Sequence, residues 1–175
     1  MILNKEGFKF KIFEVESESE LIVVCNEKQS AILGLDSESK MKFYFIEFQQ
    51  QNSERFFGLV NGGHGIEPTV AKIETKGLAI ISSDKSVYLV DLNDLHIITQ
   101  VICESLVYDV LLIQGNSSQI LIICELEVRC LSLAGSQIWR YDCDIISEFK
   151  LYENHLEIFT DDDNVKISLE DGSLL

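Results

Sequence analysis

The residues of this chain that could do chemistry are carboxylates, histidines and cysteines, and their spacing decides what that chemistry would be. The densest carboxylate cluster is TDDDN at Thr160–Asn164. Calcium loops also use Asp and Asn oxygens, but they space them, place a glycine at the turn and close with a distant glutamate. Here the acids are consecutive and neither of the other features follows, so the cluster reads as a solvated hairpin tip. His64, His96 and His155 show no paired spacing and no HExxH, which leaves no metal centre to expect. GGHG at Gly62–Gly65 lacks the Lys-Ser/Thr ending of a phosphate loop and reads as a flexible turn. No GxSxG elbow marks a serine nucleophile. The five cysteines, Cys25, Cys103, Cys124, Cys130 and Cys143, are odd in number and contain no CxxC. They are expected to be reduced thiols in a cytoplasmic protein rather than a disulfide framework. The expectation is a chain with no catalytic residues, no metal and no cofactor.

The elements that must carry these residues come from an internal repeat. Four segments overlay, starting at Leu21 (LIVVCNEKQSAILGLDSESKMKFYF), Leu78 (LAIISSDKSVYLVDLNDLHIITQV), Ile120 (ILIICELEVRCLSLAGSQIWRYDC) and Leu156 (LEIFTDDDNVKISLEDGSLL). Each reads as apolar strand, polar hairpin, alternating strand, second turn and third strand. Each is preceded by a further alternating run: Gly7–Val15, Thr69–Glu74, Leu106–Ile113 and Ile145–Tyr152. A unit of this form cannot bury its own apolar faces, so the copies must pack on one another. The expected fold is a single all-β domain over residues 1–175, a small β-propeller-like array of four antiparallel four-stranded units with little helix. A β-sandwich of long hairpins is the alternative that the same alternation supports. The first interval between repeats is long because the segment Gln49–Glu67 intervenes, with Phe56 and Phe57 at its centre.

Several stretches resemble β-propeller blades of the quinoprotein and WD types. VYLVDLNDLHII (Val87–Ile98) resembles the place where such a blade strand ends in Asp-Leu before a turn. LSLAGSQIWRY (Leu131–Tyr141) and SLEDGSLL (Ser168–Leu175) resemble the glycine turn that leads into an apolar or tryptophan strand. Trp139 alone supplies the tryptophan, the WD dipeptide is absent and the repeat lengths vary. The resemblance implies four blades, as a small ring or as a partial ring completed by a homodimer. It does not bring the quinoprotein cofactor, because no residue here matches that cofactor's ligands.

The charge is the second signal. With 14 Lys and Arg against 29 Asp and Glu, the formal net charge is −15. Such a surface repels phosphate, so neither nucleic acid nor an acidic membrane is an expected partner. A basic protein is. If strands run in order within each unit, one face collects the second hairpin of each unit and the links between units. That face holds Glu27, Asp84, Glu125, Glu127, Asp142, Asp144, Asp161, Asp162 and Asp163, and the long Gln49–Glu67 segment adds Phe56 and Phe57. These eleven residues are the expected partner-binding set, the phenylalanines serving as apolar anchors if exposed, or else plugging the core where the segment crosses it. A compact, strongly acidic chain of this kind is similar in class to bacterial immunity proteins that neutralise basic nuclease toxins. That similarity implies a non-enzymatic inhibitor whose acidic turns stand in for phosphates. The alternatives are a structural or oligomerisation module and a small cytosolic hydrolase.

Overall fold

A computed structural model describes residues 10–37, 39–50, 53–73, 77–113 and 118–175. Gly7–Lys9 and Glu74, the outer ends of two expected strands, lie outside these residues. The described chain is almost entirely β, arranged as four separate sheets stacked in sequence order. The sandwich alternative, with its two sheets, is not what the chain adopts.

The second sheet consists of β5 (Thr69–Ile73), β6 (Leu78–Ser83), β7 (Ser86–Asp91) and β8 (His96–Ile102), in that spatial order and antiparallel throughout. The third repeats the plan with β9 (Val107–Ile113), β10 (Gln119–Cys124), β11 (Glu127–Ser132) and β12 (Gln137–Asp142). The fourth has three strands, β13 (Ile146–Leu151), β14 (His155–Thr160) and β15 (Asn164–Ser168). A single bridge from Ile167 to Leu174 stands where a fourth strand would pair.

The period of two along a strand explains the stacking. In β6, Ala79 and Ile81 pack toward the first sheet, while Leu78 and Ile80 pack toward the third. In β10, Ile120, Ile122 and Cys124 face the second sheet, while Leu121 and Ile123 face the fourth. Both strands are therefore buried on both sides, which is why LAII and ILIIC are unbroken apolar runs. Trp139 closes the third interface, donating from its indole nitrogen to the Leu169 carbonyl at 3.2 Å.

The first unit departs from the repeat. Its strands are β1 (Phe10–Val15), β2 (Ile32–Leu33), β3 (Lys42–Gln50) and β4 (Ser53–Asn61), in the order β1-β3-β4-β2, and β2 runs parallel to β4. The expected strand at Leu21–Cys25 is instead part of helix α1 (Glu18–Lys28). Ser17 caps it, accepting from the Glu20 amide at 3.2 Å, and Glu20 reaches back to the Glu16 amide at 2.8 Å. This is capping-box chemistry, worth about 1 kcal/mol. Leu21 and Cys25, one turn apart, then bury against Phe45 and Val60 on the outer face of the first sheet. The β-branched run Ile22-Val23-Val24 favours a strand by propensity, but the cap and the waiting apolar face of the sheet override it. Gln49–Glu67 is likewise no inserted loop, because β3 ends in it and β4 runs through its middle. Phe57 points into the interface with the second sheet, edge-on to Phe48 at 6.2 Å. Phe56 points the other way, stacked on Phe45 at 5.2 Å with Lys28 Nζ 4.8 Å from its ring centre.

At the boundary of the first two sheets, Tyr44 donates to Glu67 Oε2 at 3.0 Å and Lys42 pairs with Glu67 Oε1 at 3.1 Å. Burial, then the negative Glu67 acceptor, pushes the Tyr44 phenol up to about 12. The folded chain thus keeps this proton at a pH where the unfolded chain loses it, so stability falls as pH rises from about 10 through the folded value. Tyr44→Phe is expected to flatten that alkaline slope, measured as denaturant midpoints across a pH series. An unchanged slope contradicts the assignment.

Candidate functional site

Turn residues on one face are laced from unit to unit by backbone hydrogen bonds. The Cys103 amide donates to the Lys85 carbonyl at 2.7 Å and the Val107 amide to the Asp84 carbonyl at 2.7 Å. The link after β8 therefore crosses the β6–β7 hairpin of its own sheet. One unit further on, the Cys143 amide donates to the Leu126 carbonyl at 3.0 Å and the Ile146 amide to the Glu125 carbonyl at 2.8 Å. The link after β12 crosses the β10–β11 hairpin in the same way. The Glu125 amide also reaches the Leu106 carbonyl at 2.8 Å, tying one crossing to the next. The expected sharing of a face by second hairpins and inter-unit links holds here in both full repeats.

Glu127 sits beneath these turns and differs from its acidic neighbours. Only 1% of its side chain is exposed, and its two oxygens accept three hydrogen bonds and make a further ion-pair contact. Oε1 accepts from the Glu104 amide at 2.8 Å and from Arg129 Nη2 at 3.1 Å. Oε2 pairs with Arg129 Nε and Arg140 Nε, each at 2.9 Å. Arg140 continues outward to Glu104 Oε1 at 2.9 Å and to Asp142 Oδ1 at 2.6 Å. Its guanidinium holds the Glu104 carboxyl below the usual carboxylate range. Arg129 Nη1 donates to the Ile102 carbonyl at 3.3 Å. A buried carboxylate is tolerated here because two guanidiniums and an amide surround it.

The eleven expected partner-binding residues divide accordingly. Glu125, Asp144 and the hairpin Asp161–Asp163 lie in the turns of this face and Asp142 ends β12 at it, and all but the partly covered Glu125 are exposed. Burial, then Cys143 and Asp163, raise the phenol of Tyr141 on β12. Asp84 is half-buried at a hairpin tip, in the left-handed region at φ 51°, and its Oδ2 accepts from the Gly62 amide at 2.5 Å. Glu127 is withdrawn into the ion-pair network just described. Glu27 is on helix α1, at the far end of the stack, and belongs to no turn of this face. Phe57 is fully buried and Phe56 is covered by Phe45 and Lys28, so neither is an exposed anchor.

Sequence reasoning missed the apolar members of this face. Leu126, 43% exposed, forms the hairpin tip between Glu125 and Glu127, and Ile145, 50% exposed, lies in the link hydrogen-bonded to that tip. Ile102, 67% exposed, ends β8 where Arg129 reaches its carbonyl. The available signal was an aliphatic residue at a turn position that the strand pattern does not bury.

Two groups among the described residues bring ligand-type atoms within 4.8 Å of one another: Cys103 with Cys124 and Glu127, and Asp91 with Asp94 and His96. In the first, Glu127 is already paired with Arg129 and Arg140, whose charges oppose a cation. In the second, on the opposite face, Asp91 Oδ1 accepts from the Asn93 amide at 2.7 Å and serves its own turn.

No family model matches the chain, and no curated protein matches it. Among solved structures, the chain is similar to the computationally designed Ika4 protein, with TM-score 0.49 and 14% identity over 66% of this chain and 74% of that one. It is also similar to Hsv2 of Kluyvelomyces marxianus, a β-propeller protein, with TM-score 0.48 and 9% identity over 74% of this chain and 46% of that one. The fold assignment rests on the stacked sheets themselves.

Glu127→Gln leaves two arginines short of a counter-charge in a buried site and is expected to cost about 3–5 kcal/mol. Glu104→Gln, at the exposed rim, is expected to cost no more than about 1 kcal/mol. Urea unfolding of the two variants checks the contrast, and equal losses contradict the hub role of Glu127.

Proposed function

We propose that the chain is a non-enzymatic binding protein that uses this turn face to hold a basic protein. The observation that carries the reading is the juxtaposition of exposed Leu126 and Ile145 with the acids Glu125, Asp142, Asp144 and Asp161–Asp163. Apolar anchors among turns that are mostly acidic suit a partner that brings aliphatic or aromatic groups among lysines and arginines. Long-range attraction speeds such encounters and weakens with salt.

The finer form of the proposal is an inhibitor of the immunity-protein kind, whose partner is a nuclease toxin. Its acidic turns would stand where phosphates stand and close the nucleic-acid cleft. Arg140 has a part in this reading: it pairs with both Glu104 and Asp142 and so orients two carboxylates at the rim. The reading places the protein in the cytoplasm, in keeping with its five free cysteines. Among the described residues, no helix is long and apolar enough to cross a membrane.

Charge reversal tests the proposal. Asp144→Lys with Asp162→Lys on the turn face is expected to abolish salt-sensitive retention of a basic protein from host extract. It should also abolish inhibition of that protein's nuclease activity. Glu153→Lys with Asp171→Lys, in turns of the other face, should preserve both. Equal loss from the two pairs overturns the assignment of the face. A chain that retains nothing basic and self-associates instead supports the structural module.

A further inference from the structure

Cys103 and Cys124 come from different sheets. Cys103 opens the link that follows β8 in the second sheet, and Cys124 ends β10 in the third. Their side chains meet in the core between those sheets, with sulfur atoms within 4.8 Å of each other. Of the other three cysteines, Cys25 is on helix α1, Cys130 faces the fourth sheet, and Cys143 lies in the link after β12.

We propose that Cys103 and Cys124 form an oxidisable dithiol, a modification site that takes a small hydroperoxide and closes to a disulfide joining the second sheet to the third. Three features of the site support it, independently of any reading of partner binding. The first is the sulfur–sulfur proximity, within 4.8 Å across the interface of two sheets. The second is polarisation of the pair. The Cys124 thiol as proton donor, and then the nearby Arg129 and Arg140, hold Cys103 below the ordinary thiol range against the opposing effects of burial and of Glu127. Cys124 is correspondingly held up. Burial alone pushes Cys130 up to about 11, and burial with neighbouring acids does the same to Cys143. The third is access. Cys103 is 3% exposed, but it lies in a short surface link between exposed Ile102 and exposed Glu104, so local opening of that link admits a small oxidant.

The chemistry balances with the hydroperoxide as the only oxidant. The Cys103 thiolate attacks the peroxide, the O–O bond breaks, and with one proton taken up the products are Cys103 sulfenic acid and water (or an alcohol). The Cys124 thiol then attacks the sulfenic sulfur, the S–S bond forms, and a second water leaves with the Cys124 proton. The two thiols lose two electrons in total, and the peroxide gains them.

The test uses the full reduced chain, hydrogen peroxide in slight excess, an alkylating quench and peptide mapping by mass spectrometry. The expected result is one intramolecular cross-link between Cys103 and Cys124, retained in Cys143→Ser and lost in Cys103→Ser. Because a serine in the core could prevent folding, alkylation rates on the native wild type give a second reading. Cys103 should react several-fold faster than Cys124 or Cys130, because it lies in the surface link through which the reagent enters. The cross-link and that rate order should both vanish in denaturing urea. Cross-links among other cysteines, or oxidation of Cys143 while Cys103 and Cys124 stay free, overturn the proposal. Equal native alkylation rates do the same.

Discussion

The constraint on which this structure depends is that its middle sheets are apolar on both faces. β6 and β10 have no solvent side, so neither the second nor the third sheet can end the stack. Burial at roughly 25 cal/mol per Å² drives each to acquire a neighbour on either side. The two end sheets must therefore stop the series, and they do so differently. The first hands its outer face to helix α1 through Leu21 and Cys25. The fourth turns a polar face outward, where Lys150 pairs with Glu148 at 3.3 Å and lies 4.6 Å from the ring centre of Phe159. Lys166 adds a longer pair with Glu157 at 3.9 Å. Terminal units of repeat arrays are atypical for this reason.

Stacking sheets in this way throws their turns to two faces, and the backbone bonds from Asp84 to Ile146 fix one face as a continuous surface. What that surface can do depends on which of its charges are already engaged. Glu127 is wholly used in holding Arg129 and Arg140, and Asp84 is partly used in holding Gly62. The charge left for a partner belongs to the outer turns, together with Leu126 and Ile145. The same network that removes Glu127 from the surface places Cys103 near two guanidiniums, so the acidic face and the dithiol share one electrostatic origin.

Much of this was legible in the sequence, for reasons particular segments make plain. LAII and ILIIC are continuous apolar runs because they are buried twice, and LEIF at Leu156–Phe159 alternates more because its sheet is an end sheet. The hairpin tips at Asp84 and Asp161–Asp163 carry the residues that turns require. The first unit was misread because LIVVC has the composition of a strand, although Ser17-Glu18-Ser19-Glu20 spells a capping box just before it. Phe56 and Phe57 looked like loop residues because the repeat offers no strand at their position. Adjacent residues on a strand face opposite ways, and here both faces of β4 are covered. At the candidate site, Glu127 could not be separated from Glu125 by pattern. Two positions decide between an engaged and a free carboxylate, and only the position of Arg129 and Arg140 in space shows which is which.

The central claim is that the face bearing Glu104, Glu125, Leu126, Asp144, Ile145 and Asp161–Asp163 receives a basic protein. Amide hydrogen exchange, with and without that protein bound, addresses it most directly. The account predicts new protection at residues 104–106, 125–126, 143–145 and 161–163, with turns 93–95, 133–136 and 170–173 unchanged. Protection confined to the second set of turns, or to helix α1, would contradict it.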